Sequence, residues 1–411
     1  MAETAALVDG FSDAVPVRPT SRSVPHASAQ DRRLPGLDGL RAVAVLAVIA
    51  YHAGLGWLPG GFLGVDVFFV ISGYVITGLL LRQPRRPLHE NLGAFYARRV
   101  RRIIPAATLV LVATTFAAYV LLGPRFAPSL LDDVRWAALF GENFRLIATA
   151  SNYFVPGVAP SLVTHYWSLA IEEQFYLVYP LLVFSLARVV PRQRHALALG
   201  LCLGAAIAGS AWWSYHLTAL NPVAAYYSPF TRFWELALGG LVAVVPRSLA
   251  DRTPRLNTAV AVVALAALVA SVWRLNATSA FPGVLAWWPC AASAALVWTG
   301  LASRRGGPAS WLSWRPLRNL GDLSYSLYLW HFPWLMLPLQ LVHPIASPVA
   351  RLLEVAGALA CSLASYHLVE NPLRHSSRLA RDGWATALLL VVCIALSWDS
   401  TLVVARLAHL A

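Results

Sequence analysis

Long apolar runs, separated by short polar segments carrying arginine, proline and glycine, recur along the chain from residue 38 onward. Runs of about 17–25 such residues can cross a bilayer core of roughly 30 Å as a helix. The pattern predicts spans over 38–57, 62–81, 104–123, 166–187, 195–214, 231–246, 256–273, 283–302, 320–341, 350–369 and 384–405. The sixth is short, and the last decides between a ten-span and an eleven-span bundle. Residues 1–35 are polar and rich in Pro, Ser and Ala, the composition of a disordered tail, and contain no apolar run that would make a cleavable signal peptide. The segment 124–165 reads as a long loop with one weakly apolar stretch, Trp136 to Ala150, suited to a re-entrant or interfacial helix. The expected fold is therefore all-α: a polytopic integral membrane protein, a bundle of 10–11 transmembrane helices. Its expected divisions are a cytoplasmic tail over 1–35, a membrane domain over 36–375 and an extra C-terminal span within 376–411.

Composition supports this and changes the meaning of the charge. The 411 residues are 58% hydrophobic and 12% charged, where a soluble domain carries about 25% charged residues. That excludes a disordered chain, an ordinary soluble enzyme and a nucleic-acid binder. The net charge of +13 comes from 32 basic residues, all arginine. With the N-terminus placed in the cytoplasm of a bacterial plasma membrane, 24 of them fall on inner segments. Seven fall on outer loops and outer helix ends (Arg125, Arg135, Arg145, Arg232, Arg274, Arg351, Arg406), and Arg41 lies inside the first span. This positive-inside asymmetry explains the basic charge through lipid topology, without nucleic acid. The four cysteines all lie within apolar runs and read as small buried hydrophobes.

Ionisable groups at membrane depth cost several kcal/mol unless paired or wetted, so each is a functional candidate. The first span holds Asp38, Arg41 and His52. Arg41 and His52 are eleven residues apart, which returns to the same helix face roughly 16 Å further along. A cation near the inner end and a titratable imidazole deeper down suit a ligand entering from the cytoplasm; a snorkelling arginine and a satisfied core histidine fit the same spacing. In the second span Asp66 lies a turn inside the outer surface. Ser72 and the glycines Gly64, Gly73 and Gly78 suit close helix packing. The fourth span opens His165-Tyr-Trp-Ser-Leu-Ala-Ile-Glu-Glu-Gln-Phe-Tyr. Its adjacent Glu172 and Glu173 point about 100° apart, so they address different partners. Glu235 and His331 add two more buried titratable groups. The inner loop holds Phe95-Tyr-Ala-Arg-Arg-Val-Arg-Arg-Ile-Ile-Pro, in which Arg98/Arg101 and Arg99/Arg102 form two i,i+3 pairs. Guanidinium forks bind phosphate bidentately, although stop-transfer charge or attraction to anionic lipid fits the same cluster.

Four stretches, in this order and spacing, resemble the acyltransferase-3 family of membrane O-acyltransferases. They are Leu34-Pro-Gly-Leu-Asp-Gly-Leu-Arg-Ala through His52, Gly64-Val-Asp-Val-Phe-Phe-Val-Ile-Ser-Gly, Tyr166-Trp-Ser-Leu-Ala-Ile-Glu-Glu-Gln-Phe-Tyr and Leu323-Ser-Tyr-Ser-Leu-Tyr-Leu-Trp-His-Phe-Pro. The resemblance covers about residues 34–375. It implies a ten-span bundle that moves an acyl group, usually acetyl from cytoplasmic acetyl-CoA, onto a hydroxyl of a glycan or other acceptor. It also implies a function for the family's arginine–ten residues–histidine pattern, here Arg41 and His52. The family's RxxR signature maps onto Arg98, Arg99, Arg101 and Arg102, implying contact with the CoA phosphates. The acidic pair and the Trp-His motif map onto Glu172, Glu173 and His331. Relatives that modify surface polysaccharides often continue into an extracytoplasmic hydrolase-like domain, so a separate protein supplying one is an expected partner.

These readings combine into an expected mechanism. Acyl-CoA, as co-substrate and with no cofactor bound, enters from the inside on Arg98–Arg102 and Arg41. His52 acts as general base on the acceptor hydroxyl or carries the acyl group itself. Asp66, Glu172 or Glu173 orients or charge-balances the imidazole, and His331 contributes to substrate binding. The acceptor class is a carbohydrate, a glycolipid or a secondary metabolite, and no metal is expected. A multi-pass transporter or flippase is the alternative, since buried His and Glu also build proton relays. No inverted repeat or matched pair of Gly/Pro-broken spans supports it.

Overall fold

A computed structural model of the chain describes residues 35–83, 87–123, 127–154, 160–246, 254–300, 308–341 and 347–408. The tail expected over 1–35 lies outside them, except for Pro35, which opens the first helix. No β-strand occurs among the described residues. The chain runs through α1 (Pro35–His52), α2 (Gly64–Leu81), α3 (Leu88–Leu122), α4 (Ala127–Ala138), α5 (Glu142–Ala148) and α6 (Tyr166–Val189). It continues through α7 (Arg192–Leu220), α8 (Pro222–Tyr227), α9 (Pro229–Val244), α10 (Pro254–Arg274), α11 (Trp287–Gly300) and α12 (Pro308–Leu312). The last part comprises α13 (Arg315–Leu341), α14 (Pro348–Ser365), a π turn (Tyr366–Glu370), α15 (Asn371–Arg374), α16 (Ser377–Arg381) and α17 (Gly383–Leu407).

Each of the eleven expected spans coincides with a helix: α1, α2, α3, α6, α7, α9, α10, α11, α13, α14 and α17. Among the described residues, seven helical stretches are by length and apolarity able to cross a membrane, including Leu88–Leu122 and Gly383–Leu407. The helices α9 and α11, of 16 and 14 residues, are shorter. Peripheral helices turn large apolar side chains outward, such as Leu201 and Trp212 on α7 and Leu388 and Val391 on α17. A bilayer is the solvent for which such surfaces are built.

Helix pairing tests the alternation of spans. Asp38 lies against Gly321 and His52 against His331, so α1 and α13 run parallel. Asp66 meets Arg232 and Thr77 meets Gly240, so α2 and α9 run parallel. Arg101 bonds Thr386 and Thr108 bonds the Cys393 carbonyl, so α3 and α17 run parallel as well. These are the first and ninth, second and sixth, and third and eleventh expected spans, which alternate crossing requires to point the same way.

Small residues permit the closest of these approaches, their usual role between membrane helices. A Cβ at Gly321 would overlap the Asp38 carbonyl, and one at Gly73 would overlap the Leu236 carbonyl. Gly321→Val should therefore push α13 off α1 and lower stability by at least about 2 kcal/mol, since overpacking costs about 1–3 kcal/mol even where side chains can yield. A thermal melt of the detergent-purified variant checks this. An unchanged midpoint would mean the two helices can part without cost.

The structure corrects two readings. The segment 124–165 holds two short helices, α4 and α5, broken at Phe140 (φ 52°) and Gly141. Their buried apolar residues include Leu130, Leu131, Val134, Ala137 and Leu146, and the apolar stretch is divided, with Ala137, Ala138 and Leu146 buried and Trp136, Leu139 and Phe144 outward. Arg135 on α4 donates from Nε to the Thr401 hydroxyl at 2.9 Å, tying this layer to α17. The second correction concerns Arg232, counted with the outer helix ends; it is wholly buried between α2 and α9.

Candidate functional site

Two polar clusters occupy opposite ends of α1. At its C-terminal end three histidines from three helices converge. His52 Nδ1 lies 3.0 Å from His331 Nε2, and His52 Nε2 lies 2.5 Å from the Tyr153 hydroxyl. His331 Nδ1 is 2.7 Å from the Tyr328 carbonyl and 3.2 Å from that of Leu327. His165, at the start of α6, reaches the Leu329 carbonyl through Nε2 at 3.1 Å and stacks on Phe332 at 4.7 Å.

These contacts assign the tautomers, because a carbonyl only accepts. His331 must carry its proton on Nδ1, which makes its Nε2 the acceptor. His52 therefore donates from Nδ1, which leaves the lone pair on Nε2, and that lone pair accepts the Tyr153 O–H. The fold thus presents one basic nitrogen, His52 Nε2, at an oxygen atom. His52 and Tyr153 are half-buried, whereas His165 and His331 are sealed.

The N-terminal end of α1 carries the second cluster. Arg41 pairs loosely with Asp38, one turn back, at 3.8 Å. Arg102 on α3 has Arg41, Arg374 and Arg99 as neighbouring cations. Arg99 lies over the Tyr176 ring, 4.1 Å from its centroid. The two expected arginine faces have separate fates. Arg99 and Arg102 turn inward and remain half-buried, while Arg98 is exposed. Arg101 is buried on the other side of α3 and donates to the Leu379 carbonyl at 3.0 Å, holding the approach to α17.

The carboxylates sit apart from the histidines, which corrects the expected orienting role. Ser72 donates to Glu172 Oε1 at 2.5 Å, and the Tyr176 hydroxyl donates to the same oxygen. Glu173, on the adjacent face, has Arg99 and Arg102 as its neighbouring cations. Asp66 Oδ1 is 3.1 Å from Arg232 Nη2, and Glu235 Oε1 is 2.9 Å from Arg232 Nη1. None of Asp66, Glu172 and Glu173 hydrogen-bonds His52 among the described residues; its ring is oriented by His331 instead. Asp66, Glu235 and Cys290 bring ligand atoms within 4.8 Å of one another, the spacing of a metal site. The Arg232 guanidinium already supplies a cation to both carboxylates, so the group is read as an ion-pair anchor. Phe69, Trp167, Tyr226 and Phe281 enclose that guanidinium at 5.3–5.7 Å.

The acyltransferase-3 domain model, described as an acyltransferase domain, matches residues 34–369, which contain both clusters except Arg374. The chain belongs to the acyltransferase-3 family. Curated relatives of this acyltransferase-3 chain include the peptidoglycan O-acetyltransferase OatA of Listeria monocytogenes, 33% identical over 354 residues, or 83% of this chain and 56% of that protein. The O-acetyltransferase OatA of Staphylococcus aureus is 33% identical over 364 residues, 84% of this chain and 57% of that protein. YrhL of Bacillus subtilis is 36% identical over 367 residues, 85% and 56% of the two chains. The acyltransferase-3 chain thus spans little more than half the length of these bacterial relatives. No solved structure matches it significantly.

Sequence reasoning passed over three residues of the site. His165 opens a quoted motif but stands one residue before the expected span 166–187, so the burial-cost rule that flagged His52 stops short of it. Arg232 stands three residues before Glu235, a spacing that marks a helical ion pair. Tyr153 lies in a segment without any motif, and only the fold brings it to His52.

Proposed function

We propose that the chain is a bacterial plasma-membrane O-acetyltransferase that takes acetyl from cytoplasmic acetyl-CoA and delivers it to a cell-wall glycan hydroxyl on the far side. The observation that carries this reading is the lone pair on the half-buried His52 Nε2, held in place by His331, whereas the lone pair on His165 Nδ1 is sealed inside the protein. Arg41, Arg99 and Arg102 bind the donor's phosphates at the other end of α1, as guanidinium forks do. The eleven residues from Arg41 to His52 span roughly 16 Å of helix, a distance the flexible pantetheine arm can cover. The acceptor hydroxyl takes the place of the Tyr153 O–H at His52 Nε2. As its oxygen attacks the thioester carbonyl, its proton passes to Nε2, making an imidazolium whose Nδ1–H remains bonded to His331. The C–S bond then breaks, and the leaving thiolate recovers that proton as free CoA. Family membership supports acyl transfer, and the names of the OatA relatives support acetyl and a peptidoglycan-type acceptor. Positive-inside arginine placement supports a cytoplasmic N-terminus.

The test is release of free CoA from acetyl-CoA by the detergent-purified full chain, with and without cell-wall glycan fragments. Acceptor-dependent release with an acetylated glycan product is the expected result. Failure with every glycan and acyl chain, together with solute movement across reconstituted vesicles, would overturn it in favour of transport.

A further inference from the structure

The π turn Tyr366–Glu370 and the short helix α15 after it play no part in the proposed chemistry so far, yet both pack against α3 beside the arginine cluster. π turns make up well under 1% of residues in soluble proteins and are concentrated at functional sites. Here the turn brings Glu370 into the protein, where its carboxylate is buried and accepts the Ser326 hydroxyl at 2.7 Å from α13. The remaining capacity of that carboxylate faces cations, its neighbours being Arg102, Arg374 and Arg41. Arg374 is in turn a neighbour of Arg102 and is half-buried, so it is not sealed from a ligand. Guanidinium groups from α1, α3 and α15 therefore gather around one anchored carboxylate. Like charges so arranged repel; Glu370, Glu173 beside Arg102 and Asp38 beside Arg41 offset part of that repulsion, and a ligand with several phosphates is drawn to the same guanidinium groups. Arg374 lies beyond residue 369, where the family match ends.

We propose that Arg374 is a further donor-binding residue that contacts a phosphate of acyl-CoA, and that Glu370 is a positioning residue aligning Arg41, Arg102 and Arg374. This rests on acyl-CoA being the donor. Loss of one charge-assisted contact corresponds to about a tenfold loss of affinity or more. The chemistry predicts which donor should feel it, because S-acetylpantetheine carries the same thioester arm and no phosphate.

The experiment measures KM and kcat of the full chain with acetyl-CoA and with S-acetylpantetheine, for wild type, Arg374→Gln, Arg374→Lys and Glu370→Gln. Arg374→Gln is expected to raise KM for acetyl-CoA about tenfold, with kcat within about twofold, while KM for S-acetylpantetheine moves less than about twofold. Arg374→Lys should recover part of the loss and carries the test if the glutamine variant does not fold. Glu370→Gln should raise the same KM in the same direction. Equal KM increases for both donors, or a fall in kcat alone, would overturn the proposal by showing a purely structural role. An unchanged KM would overturn it by showing no contact. A wild type that turns over neither donor would overturn the acyl-CoA reading itself, a result distinct from either.

Discussion

His52→Ala is expected to lower acceptor-dependent CoA release by about 10²–10⁴-fold, the usual contribution of a positioned general base. The size follows from geometry. Nε2 of the half-buried His52 carries a lone pair held in place by the hydrogen-bond chain, and it already faces a hydroxyl at 2.5 Å. Alanine removes the proton acceptor without touching the arginine cluster at the other end of α1, so KM for acetyl-CoA should stay within about threefold while kcat collapses. His52 is half-buried in the last turn of α1. Its two side-chain hydrogen bonds are worth about 1 kcal/mol each, so the variant should still insert and remain monodisperse in detergent. Initial rates with saturating acetyl-CoA, beside a thermal melt of both proteins, check both statements. A folded His52→Ala protein with wild-type turnover would remove the base from the mechanism.

Much of the fold is visible in the linear pattern, because a helix that crosses a bilayer needs a long apolar run, and such runs recur along the chain. What the pattern lacks is any record of which helix lies beside which. The α1–α13 pairing joins residues 279 positions apart, and it depends on the glycine at 321, whose meaning appears only when its backbone meets that of Asp38. The α4–α5 layer was hidden for a different reason. Its buried faces are short and interrupted, so the weakly apolar stretch supplies both buried residues such as Ala137 and Leu146 and outward-facing ones such as Trp136 and Phe144.

The site was legible residue by residue and not as a constellation. The cost of burying charge singled out His52, His331 and Arg41. Helical arithmetic correctly split the four loop arginines into two faces. It does not say which face looks inward, and Arg101 donates to the Leu379 carbonyl on the approach to α17. The adjacent glutamates do address different partners, as their 100° separation requires. The assumption that failed was that a carboxylate must orient a catalytic imidazole. In a bundle interior an anion demands a cation, and Asp66 is committed to Arg232. A neutral histidine can accept an N–H without importing charge.

That substitution of histidine for carboxylate sets the size of the second large effect. His331→Ala should reduce kcat by about 10–100-fold. Losing the orienting carboxylate of a Ser-His-Asp triad costs about 10⁴-fold, because that group fixes the tautomer and also stabilises the imidazolium with a full negative charge. His331 supplies the first service and only a dipole for the second, so its removal should cost less. With it gone, the Nδ1–H of His52 loses its acceptor at 3.0 Å, and the tautomer with the lone pair on Nδ1, turned away from Tyr153, becomes accessible. His331→Gln, whose amide oxygen can accept the same proton, should recover part of the loss, which a packing defect would not allow. The decisive comparison is the double variant His52→Ala/His331→Ala. If His331 acts through His52, the double variant should be no slower than His52→Ala alone, as expected of residues that work as a unit. Losses that multiply would instead give His331 an independent hold on the substrate.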